Sequence, residues 1–541
     1  MLLYRKLFQL RFEIRYAYDR VLNRFFHDSR NIPYRLNSFD CMRLLQSCRD
    51  IQQLKVTHGL IITNCYQQNP LLAAKLVSCY MDKGASVNDA RLVFECTKER
   101  DVLLWNVMIQ AYGTVGPHGE AVSLFQQMRT CIKPNIYTFP FVLKACAAMG
   151  DGRKTKEIHA DILKAGIQDN VFVCNSLISA YSRCSEIKAA CKVFDRIFAR
   201  DIISWNSMIM GYAQNDCWKE ALMLFHRMLT EFPGKPDLIT MLSILPACGR
   251  LAALQQGLWI HTYLIKNQLE IDMVLGSALI MMYSKCGCLQ VARRVFEMIP
   301  KRNVVLWNSI IGSYGFHGGA WEALELFSQM LETGVAPDDV TFVYVLSACS
   351  HAGCLARAWH YFDMMQNHFG ILPTEEHCAC VVDMLGRAGK LEEAMSFIRG
   401  MSLEPGLEVW GALLGACRIH NKIDLAEAAA KELFVLESTD AGRYVLLANI
   451  YAAARRWEDV AKVRRVMREG KVRKPLGCSM IEIERQTHAF GSYDQTHPLL
   501  NSIYAMLGWL EQNMKELHSP IAPNGVLQNV EGEVEDEYSA S

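Results

Sequence analysis

Residues 202–228 read IISWNSMIMGYAQNDCWKEALMLFHRM, and this stretch decides the fold. In its first half the apolar residues fall at i, i+3, i+4 and i+7, the period of one helix face: Trp205, Met208, Ile209 and Tyr212. After a polar turn the same intervals return in a second set: Ala221, Leu224, Phe225 and Met228. The stretch is therefore predicted to form two helices joined by a short turn.

This helical hairpin recurs along the chain with a period near 101 residues. Tryptophans at intervals of 100, 102 and 103 residues mark it: Trp105, Trp205, Trp307 and Trp410. Three histidines keep intervals of 101 and 102 residues: His58, His159 and His261. A fixed period indicates a repeat array in which each hairpin buries its apolar face against its neighbours. The sequence thus predicts an all-α, superhelical solenoid with a long concave groove.

Composition excludes several classes of function. Lys and Arg total 57 against 56 Asp and Glu, so any nucleic-acid binding must be local. The longest apolar stretch, residues 273–283, is too short to cross a membrane, and we expect no membrane association. No two cysteines are separated by two residues, and pairs such as Cys286 and Cys288 are poor chelates on a helix. We therefore expect no metal and no other cofactor.

Cutting at the Asp or Asn before each hairpin divides the superperiod into three unequal units. Units of 35, 31 and 36 residues are followed by units of 35, 31 and 35 residues: 136–170, 171–201, 202–237, 238–272, 273–303 and 304–338. This alternation resembles the PLS subfamily of plant pentatricopeptide repeat proteins. Local strings agree with its L, S and P units: FVLKACAAMGD, ALIMMYSKCGCLQVARRVFE and IISWNSMIMGYAQND.

The resemblance continues towards the C-terminus. HCACVVDMLGRAGKLEEA resembles the family's final short repeat. EVWGALLGACRIHNKIDLAE and GRYVLLANIYAAARRWEDVAKVRRVM resemble the paired E motifs, and GCSMIEIE resembles the E+ extension. The resemblance implies a right-handed superhelical α-solenoid of helix-turn-helix repeats, similar to tetratricopeptide repeats. Its expected segments are a P, L and S repeat array (36–374), a final short repeat (375–405), paired E motifs (406–472) and an E+ extension (473–515).

The two ends of the chain differ from the middle. Residues 1–35 hold eight basic and three acidic residues. This net positive charge is typical of an organelle transit peptide. A basic amphipathic helix that stays attached is the alternative. Residues 516–541 are rich in acids and are predicted to form a disordered, solvated tail.

In the family, the fifth and the last residue of a unit read one base. By resemblance the predicted RNA-binding pairs are Asn106 with Asn135, Asn175 with Asp201, Asn206 with Asp237, Ser277 with Asn303, and Asn308 with Asp338. The resemblance assigns uracil to Asn with Asp, a pyrimidine to Asn with Asn, and adenine to Ser with Asn. The L units hold Pro140, Leu242 and Val343 at the fifth position and are expected to read little. The predicted pattern from 5′ to 3′ is pyrimidine, gap, U, U, gap, A, U.

Each of these residues also has a purely structural interpretation. Asp or Asn before a helix is an ordinary N-cap worth about 1 kcal/mol. Asn inside a helix costs up to about 0.7 kcal/mol relative to Ala, so either a hydrogen bond to the adjacent repeat or a ligand should compensate. The recurrent tryptophans and histidines are predicted to be packing groups, because they lie among apolar residues.

The resemblance implies a site-recognition factor for organelle C-to-U RNA editing that binds single-stranded RNA. A DYW-type deaminase or other editing factors would act in trans through the E and E+ region. No catalytic residue is predicted, because the one His-x-Glu, at His118 to Glu120, has no paired cysteines to hold zinc. The alternatives are an RNA splicing or stability factor and a peptide-binding scaffold. The Arg-rich, Ser-poor start favours the mitochondrion over the chloroplast.

Overall fold

The computed structural model describes residues 36–84, 86–436, 441–470, 472, 478–483, 486–491 and 499–517. The predicted transit peptide and the part of the predicted tail after residue 517 lie outside the described residues.

Helical hairpins fill most of this part of the chain. The first helices of the hairpins are α1 (Ser38–Ser47), α3 (Pro70–Asp82), α5 (Val102–Val115), α7 (Thr138–Met149), α9 (Val171–Arg183), α11 (Ile202–Gln214), α13 (Leu238–Arg250), α15 (Met273–Lys285), α17 (Val304–Phe316), α19 (Asp339–Ala352), α21 (Glu375–Arg387), α23 (Leu407–His420) and α25 (Ala441–Ala453). The second helices are α2 (Ile51–Thr63), α4 (Val87–Cys96), α6 (His118–Cys131), α8 (Gly152–Lys164), α10 (Ile187–Arg196), α12 (Trp218–Glu231), α14 (Leu254–Lys266), α16 (Leu289–Met298), α18 (Ala320–Glu332), α20 (Leu355–Asp363), α22 (Leu391–Arg399), α24 (Ile423–Leu436) and α26 (Trp457–Glu469).

Three further elements complete the described chain. A π-helical turn, Met364–His368, extends α20. Strands β1 (Cys478–Ile483) and β2 (Gln486–Gly491) pair antiparallel, with Cys478 opposite Gly491. Helix α27 (Leu500–Leu517) follows. The sequence did not predict the strand pair, which lies inside the expected E+ extension.

The first helices pack side by side along the array. Each contacts the first helices before and after it, from α1 through α25, and each second helix packs against its own first helix. The buried apolar residues form one continuous cluster from Leu36 to Val460. This is the predicted α-solenoid, and within the described residues no helix is long and apolar enough to span a bilayer.

Three of the four recurring tryptophans, Trp105, Trp205 and Trp307, are buried in this core, as predicted, and Trp410 is half-buried at its edge. Trp205 is buried and meets the Phe194 ring edge-on, with centroids 5.2 Å apart. The guanidinium of Arg200 lies 4.7 Å from the centre of the Phe194 ring and donates to the Phe194 carbonyl oxygen. The same group of three recurs one superperiod away in each direction: Phe94, Arg100 and Trp105, and Phe296, Arg302 and Trp307. Each of these three tryptophans therefore stabilises the joint between two units and cannot act as a base-stacking platform.

The recurring histidines tie consecutive units together. His159 on α8 is hydrogen-bonded through Nδ1 to the hydroxyl of Tyr181 on α9, at 2.9 Å. Equivalent bonds join His58 to Tyr80 at 2.9 Å and His261 to Tyr283 at 2.8 Å. Burial lowers the pKa of all three histidines, that of His58 to about 4. The predicted packing role thus includes a polar contact between units.

These histidines should make the array less stable in mild acid. An unfolded histidine has a pKa of about 6.5, so as pH falls below this value the unfolded chain takes up protons that the folded chain does not. The free energy of unfolding should therefore fall between pH 7 and pH 5, and for His58 the loss should continue to about pH 4. The capping carboxylates Asp201 and Asp237 have lowered pKa values and stay charged throughout this window.

The urea midpoint should accordingly be lower at pH 5 than at pH 7.5. A triple variant, His58→Gln, His159→Gln and His261→Gln, should show a smaller difference between the two pH values, because glutamine can still bond to tyrosine but does not titrate. An unchanged difference would show that other groups cause the acid sensitivity.

Candidate nucleic-acid interface

From α9 through α19, the last residue of each unit caps the first helix of the next. Asp237 has an extended backbone, and its Oδ1 accepts the Thr240 backbone N–H at 2.8 Å. Asp201, Asn303 and Asp338 accept the N–H three residues on at 2.7, 3.0 and 2.9 Å. Asn135 does the same with Thr138 at 3.1 Å, at the turn leading into α7. The N-cap interpretation is confirmed for Asp201, Asp237, Asn303 and Asp338, whereas α7 begins after Tyr137.

The fifth residues lie on the first helices, one turn after each cap, and are almost fully buried. Their exposed fractions lie between 5% and 9%: Asn106, Asn175, Asn206, Ser277 and Asn308. Among the last residues of the pairs, Asn135, Asp201 and Asn303 are exposed, and Asp237 and Asp338 are half-buried. A ligand in the groove would therefore meet mainly the last residue of each pair.

Four of the five predicted pairs are joined by a hydrogen bond between their two side chains. The fifth-position amide donates through Nδ2 to Oδ1 of the last residue, at 2.8 to 3.2 Å: Asn106 to Asn135, Asn175 to Asp201, Asn206 to Asp237, and Asn308 to Asp338. The sequence left open whether a hydrogen bond to the adjacent repeat or a ligand offsets the cost of Asn inside a helix. The hydrogen bond to the adjacent repeat is present.

The remaining pair is not joined in this way. The Ser277 hydroxyl donates instead to the Met273 carbonyl oxygen of its own helix, at 2.8 Å. Asn303 keeps its capping bond to the Leu306 N–H. Ser277 is shorter than asparagine, which leaves more space beside Asn303 than the other pairs offer.

Capping determines which atom the last residue presents to the groove. Because Oδ1 faces the helix and the fifth residue, the other terminal atom points away from both. For Asp237 this is Oδ2, a pure acceptor, and for Asn303 it is Nδ2, a donor. Within the described residues, no hydrogen bond reaches Asp237 Oδ2.

The capping aspartates Asp201 and Asp237 are ionised at neutral pH. Burial would raise the pKa of Asp237, but hydrogen bonds from Thr240 and Asn206 outweigh burial and lower it. At Asp201 burial is likewise outweighed, here by hydrogen bonds from Ser204 and Asn175. The groove therefore displays carboxylate oxygens at these two units.

An exposed apolar row runs beside the polar pairs and was not predicted. The second residue of each unit lies three positions before the fifth, on the same helix face. Its exposed fraction is between 43% and 59%: Leu103, Tyr137, Phe172, Ile203, Ile239, Val274, Val305 and Val340. The signal was present in the sequence, since Ile203 is apolar yet lies off the buried stripe of α11. We call these eight residues the apolar row.

The residues predicted to read little are apolar and partly buried. Pro140, Leu242 and Val343 stand at the fifth positions of the L units. Among the residues that the structure describes, no three His, Cys, Asp or Glu side chains are grouped so that they could hold a metal ion. The groove thus combines polar pairs with apolar surface.

Two substitutions at Asp237 should show that the capping oxygen stabilises the fold, whereas the outer oxygen does not. Asp237→Ala removes the acceptor for the Thr240 N–H and should lower the free energy of unfolding by about 1 kcal/mol. Asp237→Asn keeps a capping oxygen and should stay within about 0.5 kcal/mol of the wild type. Urea unfolding followed by circular dichroism measures both; equal losses in the two variants would contradict this assignment.

Family models match the repeats and the region after them. Models described as PPR repeat family and PPR repeat match 100–148, 172–202, 203–231, 277–304, 302–351, 340–368 and 378–404. The E motif model matches residues 420–482, across the predicted E motifs and the start of the predicted E+ extension.

Several Arabidopsis thaliana proteins are similar over most of this chain. "Pentatricopeptide repeat-containing protein CRR2, chloroplastic" is 41% identical over 482 residues, which cover 88% of this chain and 73% of the relative. A mitochondrial pentatricopeptide repeat-containing protein is 39% identical over 87% of this chain and 74% of its own length. A longer chloroplastic relative is 38% identical over 92% of this chain, which spans 57% of that protein.

A solved structure shares the fold. The pentatricopeptide repeat protein PPR10, in complex with an 18-nt psaJ RNA element, superposes with a TM-score of 0.60 at 17% sequence identity. The match covers 78% of this chain and 64% of that one, and at this identity it bears on the fold alone. Together with the identities above, these matches establish that the chain belongs to the pentatricopeptide repeat protein family, with P, L and S units followed by an E motif.

Proposed function

We propose that this chain binds single-stranded RNA in a sequence-specific manner and is a site-recognition factor for organelle C-to-U editing. The observation that carries the proposal is the regular alternation of preassembled polar pairs with the apolar row along one face of the array. Single-stranded nucleic acid is bound by surfaces of this composition, where apolar side chains cover base faces and polar groups meet base edges.

The apolar row supplies affinity that does not depend on sequence. Each predicted pair is flanked by second residues of its own unit and of the next, such as Ile203 and Ile239 around Asn206 and Asp237. The Tyr137 and Phe172 rings, from successive units, contact each other with centroids 6.3 Å and planes 57° apart, and they would have to separate to admit a base. A base between two such side chains gains contact on both faces, an energy of roughly 1 to 3 kcal/mol per base where the partner is aromatic.

The polar pairs supply discrimination through the outer atom of the last residue. The outer carboxylate oxygen of Asp237 can accept a ring N–H, which uracil and guanine carry on their Watson–Crick edge. The outer amide of Asn303 can donate to an unprotonated ring nitrogen, which cytosine and adenine carry. The bulkier Asn at the fifth position favours pyrimidines, and the shorter Ser277 leaves room for a purine. These preferences are compatible with the pattern that the family resemblance assigns, pyrimidine, gap, U, U, gap, A, U.

Deamination itself is assigned to a partner. It requires a zinc-held water and a glutamate that moves protons. We assign recruitment of a DYW-type deaminase or another editing factor to the E and E+ region (406–515). In support, α27 exposes a set of large apolar side chains suited to protein contact: Tyr504, Met506, Leu507, Trp509, Leu510 and Met514. We place the protein in the mitochondrion; its relatives are named both chloroplastic and mitochondrial.

A peptide-binding scaffold is the second candidate. A net charge of +1 gives no long-range attraction for RNA, and an exposed apolar row can also grip a peptide. The ionised outer oxygens of Asp201 and Asp237 favour RNA, because they match base edges at one-unit intervals.

RNA binding should follow the predicted pattern. Wild-type protein should bind a short RNA carrying the pattern about tenfold more tightly than one with its adenine replaced by guanine. Asn303→Asp turns the outer donor into an acceptor and should reverse that preference, measured by fluorescence anisotropy at fixed salt. Equal affinity of both proteins for both RNAs would exclude the two-residue code.

Editing should be tested in plants that lack the gene. Sequencing of organelle transcripts should show lost C-to-U conversion at one or a few cytidines that lie 3′ of the pattern, and wild-type protein should restore it. Retained introns or shortened transcripts with normal conversion would instead indicate the splicing or stability alternative.

A further inference from the structure

A threonine of each L unit contacts the fifth residue of the preceding P unit. Thr240 is the third residue of its unit, and its hydroxyl donates to Asn206 Oδ1 at 2.6 Å. The same contact recurs between Thr138 and Asn106 at 2.7 Å and between Thr341 and Asn308 at 2.6 Å. All three threonines are fully buried. They cannot touch RNA, so any influence on binding must pass through the asparagines.

The threonine closes a ring of hydrogen bonds around the asparagine. The Asp237 backbone N–H donates to Thr240 Oγ1 at 3.2 Å. Asn206 Nδ2 donates to Asp237 Oδ1 at 3.0 Å, and that oxygen also accepts the Thr240 N–H. The hydroxyl has one hydrogen, and Asp237 Oδ1 lies 2.8 Å away with two N–H donors already bound. The hydroxyl thus lies within hydrogen-bonding distance of both oxygens and links Asn206 Oδ1 to Asp237 Oδ1.

This ring holds the asparagine amide at both ends. Asn206 Oδ1 is fixed by the threonine hydroxyl and one Nδ2 hydrogen by the carboxylate. Rotating the amide by half a turn would place Oδ1 against the ionised Asp237 carboxylate. Only the second Nδ2 hydrogen stays available, and its direction is fixed.

We propose that Thr138, Thr240 and Thr341 are positioning residues that sharpen base discrimination by the preceding P unit. The inference rests on the proposed RNA-binding function and adds a role for L units, whose own fifth residues are apolar. It also predicts which pairs discriminate best between bases. Among the described pairs, only those followed by an L unit have a threonine hydroxyl bound to the asparagine Oδ1.

The pair Asn175 and Asp201 shows the arrangement without the tether. The residue at the threonine position is Ser204, whose hydroxyl turns to Asp201 Oδ1 at 2.8 Å. Asn175 Oδ1 is buried and accepts no hydrogen bond within the described residues. Two pairs with the same residue types, Asn with Asp, thus differ in how firmly the amide is held.

The test measures binding to synthetic single-stranded RNAs that carry the predicted pattern with each of the four bases opposite Asn206 and Asp237. Thr240→Val keeps the shape of the side chain and removes the hydroxyl. The preference of the wild type for uracil over cytosine at this position should fall about fivefold in the variant, the worth of about one neutral hydrogen bond. Thr240→Ser should restore the preference.

Ser204→Ala is the matched control. It removes a buried hydroxyl that does not contact Asn175, so the preference opposite Asn175 and Asp201 should stay within about twofold. Circular dichroism confirms folding of each protein. Thr341→Val gives the same comparison opposite Asn308 and Asp338, should Thr240→Val not fold.

The outcomes separate the two proposals. A wild type without preference opposite Asn206 would overturn the base-reading proposal and this inference together. A wild-type preference that survives in Thr240→Val would overturn the positioning role alone. An equal loss of affinity for all four bases would also overturn it, because it would show that the threonine only stabilises the array.

Discussion

From α9 through α19 the first helices begin with backbone N–H groups that have no partner inside the helix, and the last residue of the preceding unit supplies an acceptor. Only short side chains with an acceptor can do this, which restricts the position to residues such as Asp237 and Asn303. Once one oxygen is bound to the helix, the other terminal atom must point away from it. In the proposed function, stability and recognition thus use different atoms of one side chain, and an exchange of Asp for Asn changes the atom offered to the base without removing the cap.

The fifth residues follow from the same constraint. Asn206 inside α11 costs up to about 0.7 kcal/mol relative to Ala. Its hydrogen bonds to Asp237 and Thr240 are each worth about 1 kcal/mol, so the cost is offset within the protein. The pair is therefore ordered before a ligand arrives. In the proposed function this ordering lowers the entropic cost of binding, because no side chain has to be immobilised by the base.

Sequence reasoning succeeded where one pattern had one physical meaning. The apolar stripe through Trp205 could only be a buried helix face, and the 101-residue period required a repeat array. It failed where a residue type usually has a different structural role from the one it has here. Ile203 was overlooked because apolar residues are expected in the core, although it lies off the stripe. The strands at Cys478–Ile483 and Gln486–Gly491 have six residues each, too few positions to distinguish a strand period from a helix period.

The partner of the buried asparagines could not be decided from one unit, since a neighbouring repeat and a ligand satisfy an amide equally well. The superperiod held a further signal, because Thr138, Thr240 and Thr341 recur at intervals of 102 and 101 residues. A threonine three residues after an Asp is normally explained by a capping box within one helix. That explanation is correct here but incomplete, since the same hydroxyl crosses to the previous unit.

In the proposed function, the L units therefore contribute to recognition without a reading pair of their own. In the proposed function, the exposed second residue of an L unit, such as Ile239, covers one face of the base that the preceding P unit reads. Its third residue, Thr240, holds the amide of that P unit. A P unit and the following L unit then act as one reading device, whereas the S unit ending at Asp201 has only the cap and one hydrogen bond. In the proposed function, the alternation of unit types thus determines how strongly each unit discriminates between bases. It also determines how the reading units are spaced along the groove.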